Sequence, residues 1–359
     1  MEKKIRYDNL DLLKAIAIVM VVSLHIPMWN TDFIADNNLS QYVQYFIRII
    51  CEGVPIFMTI NGFLKLRNKE SDLTEHLKKT LKLFVLFFVW AVILIIPSIL
   101  VGGPFHSISD IIHCVLKTDI GSEYTGVLWF LIGIIATYLL FPVIHRIYNS
   151  DFRLYLYFFF LVGFFTVGLG IIYLIRDFIL VSCGGGAIIL EALEFLERFR
   201  FSSSSAYLLY VFYFMLGGVI LHYYDFIVKN KKIFATVGLC SWILSYTYAV
   251  TISNVCNNLC DPSINYGNIF MTFIIIGMIA VSSDFKAGNN PIYRLIVSVG
   301  KCTLGMYLTH TIFIRVFQKF VPTDSFTKRV ICFAAVIVCS YVATAVMKKI
   351  PLIKKLVEI

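Results

Sequence analysis

Lys14 and His25 stand eleven residues apart in an apolar run that extends from Leu12 to Trp29. At 3.6 residues per turn this interval is close to three turns, so both side chains project from nearly one helix face, about 16 Å apart along the axis. Asp11 precedes Lys14 by one turn on that face. An ionisable group at membrane depth costs about 2.5–3.5 kcal/mol on insertion scales, so each one calls for a reason. A lysine near one end of a span can hold phosphate, and a near-neutral imidazole can take a proton from a hydroxyl. A ligand suited to both lies along the helix, its anionic end at the lysine and its reactive end deep in the membrane. Acyl-CoA has that shape, with a phosphorylated nucleotide head, a pantetheine arm and a thioester tip. The spacing also fits a lysine that snorkels to the interface and a histidine satisfied within the core.

Other groups fall at the level of His25. Glu52 lies in the outer half of an apolar run at about 45–64, and His310 in the outer half of one at about 295–318. Tyr307 precedes His310 by one turn on the same face. One of the histidines can act as general base toward a hydroxyl, with the carboxylate orienting it. Glu52 equally suits a pairing with Arg48, one turn away. Trp129 opens a further run, where an interfacial tryptophan is ordinary.

The elements that must position these groups are membrane spans. Of 359 residues, 59% are hydrophobic and 15% charged, with a mean hydropathy of +0.81. A soluble domain carries about 25% charged residues, so this chain lacks the polar surface to stay in water. Ten apolar segments are expected, at about 11–29, 45–64, 79–101, 124–146, 154–175, 206–224, 233–252, 268–283, 295–318 and 328–349. The fold class is therefore all-α integral membrane, a single transmembrane domain over 1–359. The first segment is longer than a signal-peptide core and no small-residue cleavage site follows it, which predicts a retained span.

Placing the N-terminus inside puts twenty of the 31 Lys and Arg on that side and eight on the other, with three within spans. This bias predicts both termini in the cytoplasm of a cell inner (plasma) membrane. The loops at 30–44 and 253–267 contain no Lys or Arg, as outer loops should. The same alternation accounts for the net charge of +9 without nucleic acid as a partner. The nine cysteines show no zinc-type pairing and no metal is expected; Cys256 and Cys260 share one outer loop and could form a disulfide.

Several motifs look familiar as a set. Asp11-Leu-Leu-Lys-Ala-Ile-Ala through His25 resembles the opening motif of the membrane acyltransferase 3 family, in which a basic residue precedes a histidine by ten intervening positions. Val54-Pro-Ile-Phe-Met-Thr-Ile-Asn-Gly-Phe63 is similar to its second-helix motif, with Asn61 where serine is usual. Trp129-Phe-Leu with Tyr138 and Pro142, then Phe214-Met-Leu-Gly217, then Gly300 through Tyr307 and His310, resemble the rest in the family's order. The resemblance spans residues 8 to 310. It implies a ten-helix core, acetyl-CoA or another acyl-CoA as donor, and transfer across the bilayer to an extracytoplasmic glycan. It also implies that His25 serves the acyl transfer and that the basic residue, Lys14 where arginine is commonest, contacts the CoA with Asp11 beside it. Trp129 and Asn61, at motif positions, are candidates for substrate contact.

The longest outer loop, about 176–205, holds Gly184-Gly-Gly186 and then apolar residues at helical spacing with Glu191, Glu194 and Glu197 opposite. This predicts an interfacial helix, either a lid over the site or a connector lying flat on the bilayer. A multi-pass carrier of a small polar or acyl-bearing molecule is the competing functional class. Carriers usually show repeated halves with broken helices, and no internal repeat is visible here.

Overall fold

The computed structural model describes residues 7–26, 34, 38–68, 72–100, 107–117, 124–183, 191–193, 195, 206–259, 267–320 and 325–358. Among them the regular elements are helices: α1 (Asp8–Leu24), α2 (Leu39–Ile50), α3 (Gly53–Leu66), α4 (Leu73–Leu100), α5 (Ile108–Leu116), α6 (Trp129–Ser150), α7 (Phe152–Phe164) and α8 (Val167–Cys183). Then come α9 (Ala206–His222), α10 (Tyr224–Lys229), α11 (Lys231–Cys256), α12 (Ile269–Ser282), α13 (Pro291–Lys301), α14 (Thr303–Phe320), α15 (Phe326–Met347) and α16 (Pro351–Lys354). With no water to satisfy a backbone in hydrocarbon, helices are what such apolar runs must form.

Among the described residues, five helical stretches are long and apolar enough to cross a bilayer: Leu39–Leu66, Leu73–Pro97, Gly126–Ser150, Lys231–Cys256 and Phe326–Met347. Phe152–Phe164, Tyr207–His222 and Ile269–Ser282 are shorter apolar helices. Polar caps divide these runs. The Asp151 carboxylate accepts from the Arg153 and Leu154 amides at 2.9 and 3.1 Å and starts α7 where α6 stops. Asn290, followed by Pro291, starts α13 in the same way.

Helix α1 occupies the centre of the bundle, packed against α13, α3, α12 and α14. Its Leu10, Leu13, Ala17, Ile18, Val21 and Val22 are buried on more than one face. The crossing of α3 and α9 is among the closest in the bundle. A Cβ on Gly62 would lie 1.9 Å from the Phe214 carbonyl oxygen, and one on Gly217 would lie 2.1 Å from that of Thr59. These glycines belong to the second and fourth sequence motifs, and they let the two backbones touch.

Three expected spans are broken. The run at 45–64 is two helices, α2 and α3, separated at Cys51 and Glu52; 154–175 divides at Phe165 and Thr166; 295–318 divides at Cys302. Each break keeps some of its amides bonded: the Cys51 amide donates to Ile47 at 3.2 Å, that of Phe165 to Leu161 at 3.3 Å, and that of Cys302 to Val299 at 2.8 Å. The short segment expected at 268–283 is present as α12. Of the expected interfacial helix, Glu191 to Leu193 are helical, with Leu193 buried against Ile172; Glu194 and Glu197 lie outside the described residues. So does Cys260, the partner expected for Cys256.

Candidate active site

His25 caps the end of α1, and His310 sits in the interior of α14. Their rings meet edge to face with centroids 5.0 Å apart. His310 is fully buried, whereas His25 is partly exposed. His25 Nδ1 lies 2.8 Å from the Val21 carbonyl oxygen, and His310 Nδ1 lies 2.6 Å from that of Tyr307. A carbonyl only accepts, so each ring carries its proton on Nδ1 and presents a lone pair at Nε2. His310 Nε2 is buried with no hydrogen-bond partner among the described residues. The helix backbone fixes both tautomers.

Glu52 is buried at the break between α2 and α3. The same break binds to α1 through the Cys51 thiol, which is hydrogen-bonded to the Ser23 side chain two residues before His25. Tyr307 and His310 rings lie 5.7 Å apart on one face of α14. The Tyr307 hydroxyl donates to the Val127 carbonyl at 2.5 Å. Arg315 extends this anchoring, donating to the carbonyls of Leu94 at 3.0 Å and Tyr124 at 2.9 Å. Two side chains of α14 thus hold it to the turn before α6, which fixes the height of His310.

The other end of α1 opens into a cavity of about 560 Å³. Asp11, Lys14, Lys301, Lys348 and Glu358 form its polar end. Phe57, Asn61, Phe130, Tyr138 and Tyr307 line it elsewhere. Lys14 Nζ is 3.3 Å from Asp11 Oδ1, the one-turn pairing expected from their spacing. The Tyr138 hydroxyl donates to Asn61 Oδ1 at 3.0 Å, which joins the second motif to the third. Tyr307 lies one turn from His310, so the cavity wall and one of the two histidines share α14.

The structure therefore brings Asp11, Lys14, Asn61 and Tyr307 to one cavity, and His25 and His310 to one contact. Trp129 is placed differently. It is 6% exposed and stacked on Tyr210 with centroids 5.5 Å apart, inside the bundle rather than at a lipid interface. Its neighbour Phe130 reaches the cavity instead. Lys348 and Glu358 escape motif reading, because only the folding of the chain at and after the end of α15 carries them beside Lys14; Lys301 lies within the fifth motif, which does not mark it as a site residue. Among the described residues, no group of three His, Cys, Asp or Glu side chains could hold a metal.

A family model described as an acyltransferase domain matches residues 7–345, nearly the whole chain and all five motifs. No curated protein and no solved structure matches the chain.

Proposed function

Because the chain belongs to the membrane acyltransferase 3 family, we propose that this multi-pass membrane protein is an O-acyltransferase, most simply an O-acetyltransferase, that moves an acyl group from cytoplasmic acyl-CoA to an extracytoplasmic glycan. Ten crossings of an inner membrane, read from the apolar segments, and both termini inside, read from the distribution of basic residues, accompany this reading. One observation carries the proposal. A cavity with a lysine-rich mouth at the start of α1 reaches Tyr307, one turn from His310, whose ring faces that of His25. This matches a donor with an anionic head, a long arm and a reactive tip.

The chemistry follows from the tautomers. The acceptor hydroxyl oxygen attacks the thioester carbonyl, and the hydroxyl proton passes to His25 Nε2. The C–S bond breaks, and the departing thiolate takes the proton from the imidazolium, so that free CoA leaves and the ester remains. His25 suits the base because its partial exposure gives an acceptor access. The unpartnered Nε2 of buried His310 is a second acceptor beside it. Lys14 and Asp11 form the head site, and Asn61 and Tyr138 lie along the arm. Glu52, buried at the break that packs against α1, is assigned to orienting the base. Trp129 backs the cavity wall through Phe130, with ring centroids 6.3 Å apart.

The test uses inside-out membrane vesicles from cells that make the protein and an envelope polysaccharide. With acetyl-CoA labelled in its acetyl group supplied outside, label should appear in lumenal polysaccharide as a base-labile ester. Vesicles that bind CoA yet never label a glycan, with any acyl chain supplied, would remove the glycan reading.

A further inference from the structure

The segment that follows α15 turns back under the bundle and forms part of the cavity mouth, where Val357 and Glu358 join the lining. Three independent contacts hold it there. The Trp90 indole donates to the Leu356 carbonyl at 2.8 Å, and Lys82 Nζ donates to that of Glu358 at 3.0 Å. Val357 is 2% exposed, packed into the main core. The Glu358 carboxylate then lies 2.9 Å from Lys348 Nζ and 3.4 Å from Lys354 Nζ. Lys348 also donates to the Lys301 carbonyl at 2.7 Å, which draws the ends of α13 and α15 to one spot.

The mouth thus holds three lysines, Lys14, Lys301 and Lys348, against two carboxylates, Asp11 and Glu358. Asp11 is one turn from Lys14 on a buried helix and is fixed in place. Glu358 differs: its side chain is 37% exposed and held only by its lysine partners, while its backbone is pinned. The pairing with Lys348 holds its carboxyl below the usual range, so it is ionised at neutral pH. A carboxylate on a lysine at a cavity mouth occupies the place that a phosphate oxygen of a ligand would take.

We propose that Lys348 and Lys301 complete the phosphate seat begun by Lys14, and that Glu358 stands on Lys348 as a displaceable substitute for the donor's phosphate. This rests on the reading of the cavity as the acyl-CoA site. Donor binding then exchanges one ion pair for another, so Lys348 keeps an anionic partner with or without the donor. It also makes affinity depend on Glu358, a residue no motif marks.

Equilibrium binding of radiolabelled CoA to the full chain in detergent tests the exchange. Glu358→Gln should tighten binding by about two- to fivefold, the value of a half-exposed ion pair no longer competing. Lys348→Gln should weaken it by about tenfold or more, and Lys348→Arg should restore it. In the Lys348→Gln background, Glu358→Gln should no longer tighten binding, which a merely structural role for either side chain would not produce. The pinned backbone makes loss of folding in Glu358→Gln unexpected, and an unchanged size-exclusion profile checks it. If Lys14→Ala weakens CoA binding while Glu358→Gln binds no tighter than the parent, the substitute is wrong and the donor cavity stands. If the parent chain binds no CoA, both fall.

Discussion

His25→Ala isolates the proposed chemistry from everything that holds the bundle together. The substitution removes the Nε2 lone pair and the ring bond to Val21, and leaves the cavity and its mouth intact. The structural loss is one side-chain hydrogen bond at a helix end, about 0.5–1.5 kcal/mol. Helix α1 retains Leu10, Leu13, Ile18, Val21 and Val22 in the core, so insertion and expression should hold. The catalytic loss is larger. General-base assistance contributes about 10²–10⁴-fold, which is about 2.7–5.5 kcal/mol of barrier. The assay is O-acylation of surface polysaccharide in cells carrying the variant, divided by the amount of protein in the membrane. CoA binding measured on the same preparation should stay within about twofold of the parent, because the cavity mouth lies about 16 Å from the ring. His310→Ala should also impair transfer, by less, since His25 keeps its tautomer through its own bond. Cells with His25→Ala that acylate at the parental level would refute the base assignment and leave the family membership untouched.

Three further outcomes follow from other parts of the fold. Lys14→Arg should keep CoA binding, while Lys14→Ala should weaken it by about 1.5–3 kcal/mol, the range for a charged hydrogen bond; an unchanged dissociation constant would return Lys14 to an interfacial role. Single cysteines introduced near positions 70 and 230, in a chain without other thiols, should react with impermeant reagent only from the cytoplasm, and one near position 258 from outside. Labelling at 258 only after permeabilisation would invert the topology. Gly217→Ala places a methyl 2.1 Å from the Thr59 carbonyl oxygen, and overpacking of this kind costs about 1–3 kcal/mol. A lower midpoint of heat-induced aggregation in detergent is expected, and an undiminished one would show that α3 and α9 can separate.

The parts of the site that sequence made legible are those within one helix. Asp11 and Lys14 pair at the predicted turn, and Tyr307 and His310 share a face, because 3.6 residues per turn places them so whatever surrounds them. Contacts between helices were legible only where a shared depth suggested them, as with His25 and His310. Trp129 shows the limit: its position at the head of a span says nothing of whether it faces lipid or Tyr210. Glu358 shows another, since a charge far along the chain has no periodicity that announces a partner in α15.

The broken spans carry the remaining lesson. Hydropathy reads Leu39 to Leu66 as one crossing, because Cys51 and Glu52 interrupt neither its length nor its apolar average enough to register. Yet a continuous helix would have kept the Glu52 amide and the preceding carbonyls in the hydrogen-bond ladder and carried the carboxylate around its axis. At the break, Glu52 is instead the residue before α3, and its neighbours Cys51 and Gly53 press against α1, with a Cβ on Gly53 only 2.1 Å from the Ala17 carbonyl oxygen. The break at Cys302 does similar work at the opposite end of the site. It separates Lys301, at the cavity mouth, from the helix that carries Tyr307 and His310, and Gly300 before it sits against the backbone of Asp11. Irregular backbone survives at membrane depth only where protein surrounds it or a cavity adjoins it. Both breaks meet that condition by packing on α1, the one helix that carries Lys14 at one end and His25 at the other.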